Sequence, residues 1–157
     1  MNDRRERLQY KMNIARHLTE LSHLTKRQVT EAELLSLEQT RDLRERSASA
    51  PKASQKFQIP FAERGSTRFL ELIRAAYDRN PGPIYLWTEG AISCGVLKLG
   101  SILHFNTAFD FGIERNGVIS LVSEDLGSRI VLDFYEEDGE QILEVELAGS
   151  EWGDLRY

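Results

Sequence analysis

The sequence predicts an α+β protein, with helices in its first half and an antiparallel β-sheet at its C-terminus. Apolar residues recur at helical spacing over the first fifty residues. Three short runs rich in β-branched residues follow in the last third, separated by glycine-containing turns. An Asp-Gly pair at 138–139 joins the last two runs and is a strong hairpin signal. Together these patterns predict helices packed with a meander.

The N-terminal segment, residues 1–46, predicts a helical pair over 3–24 and 31–46. Thr30 and Glu33 have the spacing of a capping box, which places a helix start there. The two helices could form an antiparallel hairpin. The segment suits a packing arm or a coiled coil, and a dedicated binding helix is the alternative. The first helix carries an apolar stripe of small and large residues: Leu8, Met12, Ala15, Leu18 and Ser22.

Residues 47–56, SASAPKASQK, predict a linker because small residues and a proline dominate them. The remaining residues, 57–157, form the predicted α+β domain. A middle helix follows Ser66 or Thr67 and must end before the prolines at 81 and 83.

The run IYLWTEGAIS, residues 84–93, predicts a strand from its aromatic and β-branched content. Residues 94–112 are ambiguous, and they are assigned to a helix or irregular turn before Phe109.

The C-terminal third predicts strands within 116–125, 128–138 and 140–149. With the turn centred on residues 138–139, Phe134 faces Leu143 on an apolar side of the hairpin. Asp133 then faces Glu144 on the other side, where like charges directly opposite each other destabilise a sheet. The other expected pairs are Leu132 with Val145, Ile130 with Leu147, Val131 with Glu146 and Tyr135 with Ile142.

Charge is distributed unevenly along the chain, whose net charge is -5. Residues 1–56 carry 12 basic and 8 acidic residues, whereas residues 104–157 carry 3 and 13. Three interpretations of the acidic hairpin are open: a solvated edge that keeps the protein monomeric, a docking surface for a basic protein, or a metal-binding or catalytic carboxylate cluster.

The docking interpretation predicts that a basic side chain of the partner bridges Asp133 and Glu144. Tyr135 and Trp152 are the aromatic anchors expected beside these acids, although Trp152 also suits packing over a sheet edge. The full set of predicted partner-binding residues is Glu124, Asp125, Asp133, Tyr135, Glu136, Glu137, Asp138, Glu144, Glu146 and Trp152.

An enzyme is the alternative from another class. A metal-dependent hydrolase would use four carboxylates, Asp110, Glu124, Asp125 and Asp133. No lysine follows Lys98, although metal nucleases commonly place one beside their acids. The histidines have no metal-ligand spacing, and no phosphate-binding or nucleophile motif is present. No catalytic residue, cofactor or metal is therefore predicted.

Two further expectations concern partners and location. The N-terminal arm is basic, but acids are interspersed in it and the acidic body would repel nucleic acid, so no direct nucleic-acid binding is predicted. A helical adaptor that dimerises through residues 3–46 is a third hypothesis. A single cysteine, no long apolar run and no signal-peptide pattern in MNDRRERLQY predict a protein of the reducing cytoplasm, without membrane insertion.

Residues 109–153 resemble small bacterial immunity proteins of polymorphic-toxin and contact-dependent inhibition systems. The similarity lies in Phe-Asp-Phe at 109–111, Ser-Glu-Asp at 123–125, LDFYEED at 132–138 and a Gly-x-x-Trp at 149–152. The resemblance implies an intracellular protein that binds a cognate toxin domain and blocks its active site. Such toxins are often nucleases with basic clefts, which an acidic surface would match.

Overall fold

A computed structural model describes residues 3–49, 51–110 and 117–157, and it has the α+β architecture that the sequence predicts. All described strands join one antiparallel sheet, in the order β1-β6-β5-β4-β2-β3. The helices are α1 (Asp3–Thr25), α2 (Leu37–Ser47), α3 (Thr67–Arg79) and α4 (Ala91–Cys94). The strands are β1 (Ala53–Pro60), β2 (Ile84–Trp87), β3 (Leu97–Leu99), β4 (Gly117–Ser123), β5 (Ser128–Glu137) and β6 (Glu140–Gly149).

The first predicted helix is confirmed as α1, but the second begins later than predicted. The capping box of Thr30 and Glu33 closes only a short 3-10 turn, after which Leu34 is extended. A second capping box starts α2: the Ser36 hydroxyl accepts a hydrogen bond from the Gln39 backbone N–H at 3.0 Å, and the Gln39 side chain accepts one from the Ser36 N–H at 2.9 Å.

The middle helix is confirmed as α3. The Ser66 hydroxyl caps it by accepting from the Phe69 N–H at 3.2 Å. The helix ends at Arg79, with Asn80 as its C-cap before Pro81. Its buried side presents Phe69, Leu72, Ile73 and Ala76 to the sheet.

The linker prediction for residues 47–56 is wrong from Ala53 onward. Residues 53–60 form β1, which pairs with β6. The reason is that Phe57 and Ile59 alternate with polar residues, and their side chains extend the buried face of the sheet. A strand that looks polar in sequence therefore completes the apolar face.

Residues 84–112 also depart from expectation. The strand predicted over 84–93 ends at Trp87, and α4 follows it. For residues 94–112, where a helix or irregular turn before Phe109 is predicted, the structure has strand β3 first. The short 3-10 helix Ile102–His104 that follows agrees with the prediction. Residues 111–112 of that prediction, and residue 116 of the first meander run, lie outside the described residues.

The meander and its register are confirmed. Phe134 pairs with Leu143 and Asp133 pairs with Glu144, and the other expected pairs of the hairpin are also present. Asp138 and Gly139 have φ values of 52° and 81°. Two consecutive left-handed residues make the type I′ turn that matches the twist of paired strands.

One face of the sheet is closed. Its side chains share a core with α3, with the end of α1 through Leu21 and Leu24, and with Trp152 of the C-terminal segment. The end of α1 is thus joined to the sheet by a common core. At the β3 edge, Leu34 makes an isolated bridge to Leu97 and covers part of that strand.

The opposite face is covered only in part. Over β2 and the end of β4, residues of α2 and α4 form a small second core with Leu43, Tyr85 and Val122. The remaining surface is called the open face, and it includes Lys56, Gln58, Val118, Ser120, Arg129, Val131, Asp133, Tyr135, Ile142, Glu144 and Glu146. Arg129 is half-buried at one end of this face, where its guanidinium donates a hydrogen bond to the Pro51 carbonyl at 3.3 Å. No helix in the described part of the chain is long and apolar enough to cross a membrane.

Candidate protein-docking surface

The carboxylates of the open face lie in the middle of the sheet. Across the strands, Asp133 of β5 pairs with Val118 on one side and Glu144 on the other, and Glu144 pairs in turn with Gln58. Because β1 covers the outer side of β6, the hairpin is not a sheet edge. The explanation of its charge as a device that protects an edge is therefore wrong.

Lys56 partly neutralises this surface from within the chain. Its Nζ lies 2.9 Å from Glu144 Oε1 and 3.4 Å from Glu146 Oε1. The hydrogen bond with Glu144 raises the pKa of Lys56 and lowers the pKa of Glu144. The bridging cation that was expected from a partner is thus present in the chain, but it contacts Glu144 and Glu146.

Asp133 has no such direct partner among the residues that the structure describes. Within residues 3–49, 51–110 and 117–157, no group donates a hydrogen bond to its carboxylate. Partial burial raises the pKa of Asp133, and the charges of Glu144 and Glu146 raise it further, while Lys56 opposes them. Asp133 is therefore the carboxylate on this face that gains most from an added cation.

Tyr135 links the acids to the apolar part of the face. Its hydroxyl accepts a hydrogen bond from Gln58 Nε2 at 2.8 Å and donates one to Glu144 Oε2 at 3.4 Å. Its ring is half-buried, and its strand partner is Ile142. Val118 beside Asp133 is 42% exposed. The face thus combines charge with accessible apolar surface, which is typical of protein interfaces.

The acids around the hairpin turn extend the same field. Glu136, Glu137, Asp138 and Glu140 are all exposed, and Glu137 pairs directly with Glu140. The structure brings these turn residues close to Asp133 and Glu144 along one hairpin, as the sequence predicts.

Glu124 and Asp125 lie apart from this surface, in the turn between β4 and β5. Glu124 forms an ion pair with Lys98 of β3. Asp125 Oδ1 accepts hydrogen bonds from the Ser123 hydroxyl at 2.7 Å and the Gly127 N–H at 2.9 Å, and these bonds lower its pKa. Both acids lie at the other end of β5 from the hairpin turn, where Asp125 stabilises the β4–β5 turn and Glu124 contacts β3.

Trp152 is fully buried, at 0% exposure, so it does not belong to the surface. Its Nε1 donates a hydrogen bond to the Ala76 carbonyl at 3.0 Å, which fixes the C-terminal segment against α3. The prediction of Trp152 as a partner anchor is therefore corrected, and Tyr135 is the aromatic residue of the open face.

The four carboxylates of the hydrolase hypothesis do not converge. Asp110 pairs with Arg64 at 3.2 Å and Glu124 pairs with Lys98 of β3. Asp125 bonds within its turn, and Asp133 lies on the open face. The described part of the chain contains no group of three or more His, Cys, Asp or Glu side chains that is arranged to hold a metal ion.

Sequence reasoning missed the contribution of β1. Lys56 and Gln58 lie in the residues predicted as linker or domain start, yet both donate hydrogen bonds to Glu144. The alternation Lys-Phe-Gln-Ile over 56–59 was the available signal.

Comparisons with known proteins found no relative of this chain. No family model, curated protein or solved structure matches the chain.

Proposed function

We propose that this chain is an inhibitory binding protein whose open face docks on a basic protein domain. The observation that carries the proposal is the composition of that face. Three carboxylates, Asp133, Glu144 and Glu146, lie there beside a lysine that contacts the two glutamates, and accessible apolar side chains lie next to them. A surface of this kind attracts a cationic partner over a distance and then buries apolar area against it.

The class of partner comes from the resemblance of residues 109–153 to bacterial immunity proteins. On that basis the partner is a cognate toxin domain with a basic active-site cleft, such as that of a nuclease. The acidic hairpin would enter the cleft and match, in charge alone, the phosphate backbone that the toxin normally binds. Inhibition is by occlusion, so the chain carries out no reaction and acts in the cytoplasm, where the toxin acts.

Asp133 is the residue expected to select a partner that places a basic side chain at this point of the open face. An arginine or lysine placed beside its carboxylate would relieve the repulsion from Glu144 and Glu146, and the ordered Tyr135 and Gln58 side chains fix the neighbouring oxygens. Ion pairs that exclude water at the centre of an interface contribute more than those at its rim.

Affinity capture from the native host, with washes at low and high salt and identification by mass spectrometry, tests the proposal. The wild-type chain is compared with a variant carrying Asp133→Asn, Glu144→Gln and Glu146→Gln. The matched control carries Glu38→Gln, Glu45→Gln and Glu71→Gln, three exposed acids outside the sheet that change the net charge equally.

We expect one dominant basic partner, retained by the control and lost or weakened at least tenfold by the open-face variant. Equal recovery of that partner by all three chains would contradict the assignment of the surface. Recovery of no specific protein by the wild-type chain would contradict the proposed function itself.

A further inference from the structure

The outward side of α1 presents exposed apolar residues in a regular pattern. Leu8 and Met12 are 53% and 79% exposed, and Ala15 and Thr19 are exposed too. Successive spacings of four, three and four residues place these four side chains in one line along the helix. This line is called the α1 seam.

The inward side of the same helix accounts for its packing on the protein. His17, Leu21 and Leu24 are buried, and Tyr10 is half-buried. Glu6 on this side pairs with Arg41 of α2 at 3.0 Å. The apolar residues of the α1 seam point the opposite way, so the packing of α1 on its own chain does not explain them.

The seam has the periodicity of a coiled coil. Met12 and Thr19 occupy one core position of a seven-residue repeat, and Leu8 and Ala15 occupy the other. Interfacial membrane helices need a broad apolar arc with large side chains. The α1 seam is one residue wide, which favours a second helix over a lipid surface.

Basic residues flank the seam on both sides. Arg4 and Lys11 lie along one flank, Arg16 lies along the other, and Arg5 continues the line toward the N-terminus. The acids of this helix, including Glu6, lie away from the seam. Flanking positions choose the partner of a coiled coil by charge, because they meet the flanks of the opposing helix.

This charge pattern disfavours a second copy of the chain. In a parallel pair, Lys11 would face Arg16 of the other copy. In an antiparallel pair, the flank with Arg4 and Lys11 would face the same basic flank of the other copy. Like charges would oppose each other in both cases. An amphipathic helix with acidic flanks would instead place its acids opposite Arg4, Lys11 and Arg16.

We propose that the α1 seam is a second docking site, which takes an amphipathic helix with acidic flanking positions from another protein. It pairs by knobs-into-holes packing over about two heptads. This site is separate from the open face and does not depend on the function proposed for it.

The probe is a synthetic, fluorescently labelled peptide of about three heptads, with leucine at both core positions and glutamate at the flanking ones. The control peptide has lysine at the flanking positions. Fluorescence anisotropy is measured against the full chain, against Met12→Lys, and against Leu103→Lys. Leu103 is an apolar residue outside α1 that is 47% exposed, so it receives a matched substitution.

We expect the acidic peptide to bind the wild-type chain at least tenfold more tightly than the basic peptide, with affinity falling as salt rises. Met12→Lys should weaken that binding at least tenfold, whereas Leu103→Lys and Asp133→Asn should leave it unchanged. Unchanged melting temperatures for both lysine variants confirm that folding is intact, as the exposure of both positions predicts.

Three outcomes would overturn the inference. One is equal binding of the two peptides, or binding that Met12→Lys leaves intact. The second is a concentration-dependent dimer in sedimentation that Met12→Lys abolishes, which would make the occupant a second copy. The third is co-sedimentation with phosphatidylglycerol vesicles that Met12→Lys abolishes, which would make it a lipid surface.

Discussion

The two faces of the β5–β6 hairpin are built from alternate residues of the same strands, yet they differ completely in burial. On the closed face, Leu132 and Val145 are both 0% exposed. On the open face, Asp133 and Glu144 are opposite each other and half-exposed. A slip of one residue would exchange the two sets and bury the carboxylates. The closed face therefore determines the register, and the repulsion on the open face is its consequence.

The free energies of burial and of charge repulsion support the conclusion that the closed face determines the register. Burying a large aliphatic side chain stabilises a fold by roughly 1.5–3 kcal/mol, whereas like charges opposite each other on a sheet cost a few tenths of a kcal/mol. Several buried side chains outweigh one repulsive pair. The open face is thus free to carry residues suited to binding, because the fold does not depend on them.

The two faces should differ most in how much stability is lost when neighbouring side chains of β5 are truncated to alanine. Leu132→Ala should lower the free energy of unfolding by about 2–5 kcal/mol, because it leaves a cavity in the core. Val131→Ala, one residue earlier on the half-exposed face, should lower it by less than about 1 kcal/mol. Urea unfolding of both variants checks this, and equal losses would mean that the faces are wrongly assigned.

Lowering the pH should first destabilise the protein around His17, where the helices cover part of the face opposite the closed face. His17 is buried, and its Nε2 lies 2.8 Å from the Gly95 carbonyl oxygen, in the loop between α4 and β3. Burial lowers the pKa of His17, so its neutral form is favoured in the folded state. The resulting stability is present above the usual pKa of 6.5 and is lost as the pH falls through that value toward the lower folded-state pKa.

The melting temperature should therefore decline as the pH is lowered from 7 toward 5, and the decline should be smaller in His17→Gln. The matched control is His104→Gln, because His104 is exposed. An identical pH dependence in wild type and His17→Gln would show that His17 does not titrate in this range.

On the open face, Lys56→Met should lower stability slightly at neutral pH, since Glu144 and Glu146 lose their shared cation. The pKa of Glu144 is held below its usual 4.5, so this contribution exists above that value and disappears as the pH falls. Added salt should also reduce it. Denaturant unfolding at pH 7 and pH 3.5 tests both effects, and a loss that persists at pH 3.5 would point to packing of the lysine stem.

The parts that the sequence predicts are those set by local patterns. The Asp138-Gly139 turn and the alternation of β5 and β6 were sufficient for the hairpin register, and the spacing around Phe69 was sufficient for α3. The role of Lys56 was hidden because its strand pairs with Glu146, far away in the sequence. Trp152 was misplaced for a related reason, since only tertiary packing brings it against Ala76.

The most direct test of the central claim uses Asp133→Asn, the smallest structural change on the open face. Burial and the neighbouring acids raise the pKa of Asp133, so its ionised form is less favourable in the folded protein than in the unfolded chain. The variant should therefore be as stable as wild type or a few tenths of a kcal/mol more stable. The difference in stability between the variant and the wild type should become smaller as the pH falls and the wild-type carboxyl is protonated.

The decisive measurement is the affinity of Asp133→Asn for the captured basic partner, by calorimetry, alongside its free energy of unfolding. We predict equal or greater stability together with binding at least tenfold weaker, about 1.4 kcal/mol. Unchanged affinity, or a loss of stability in step with the loss of binding, would contradict the claim that this carboxylate serves the partner instead of the fold.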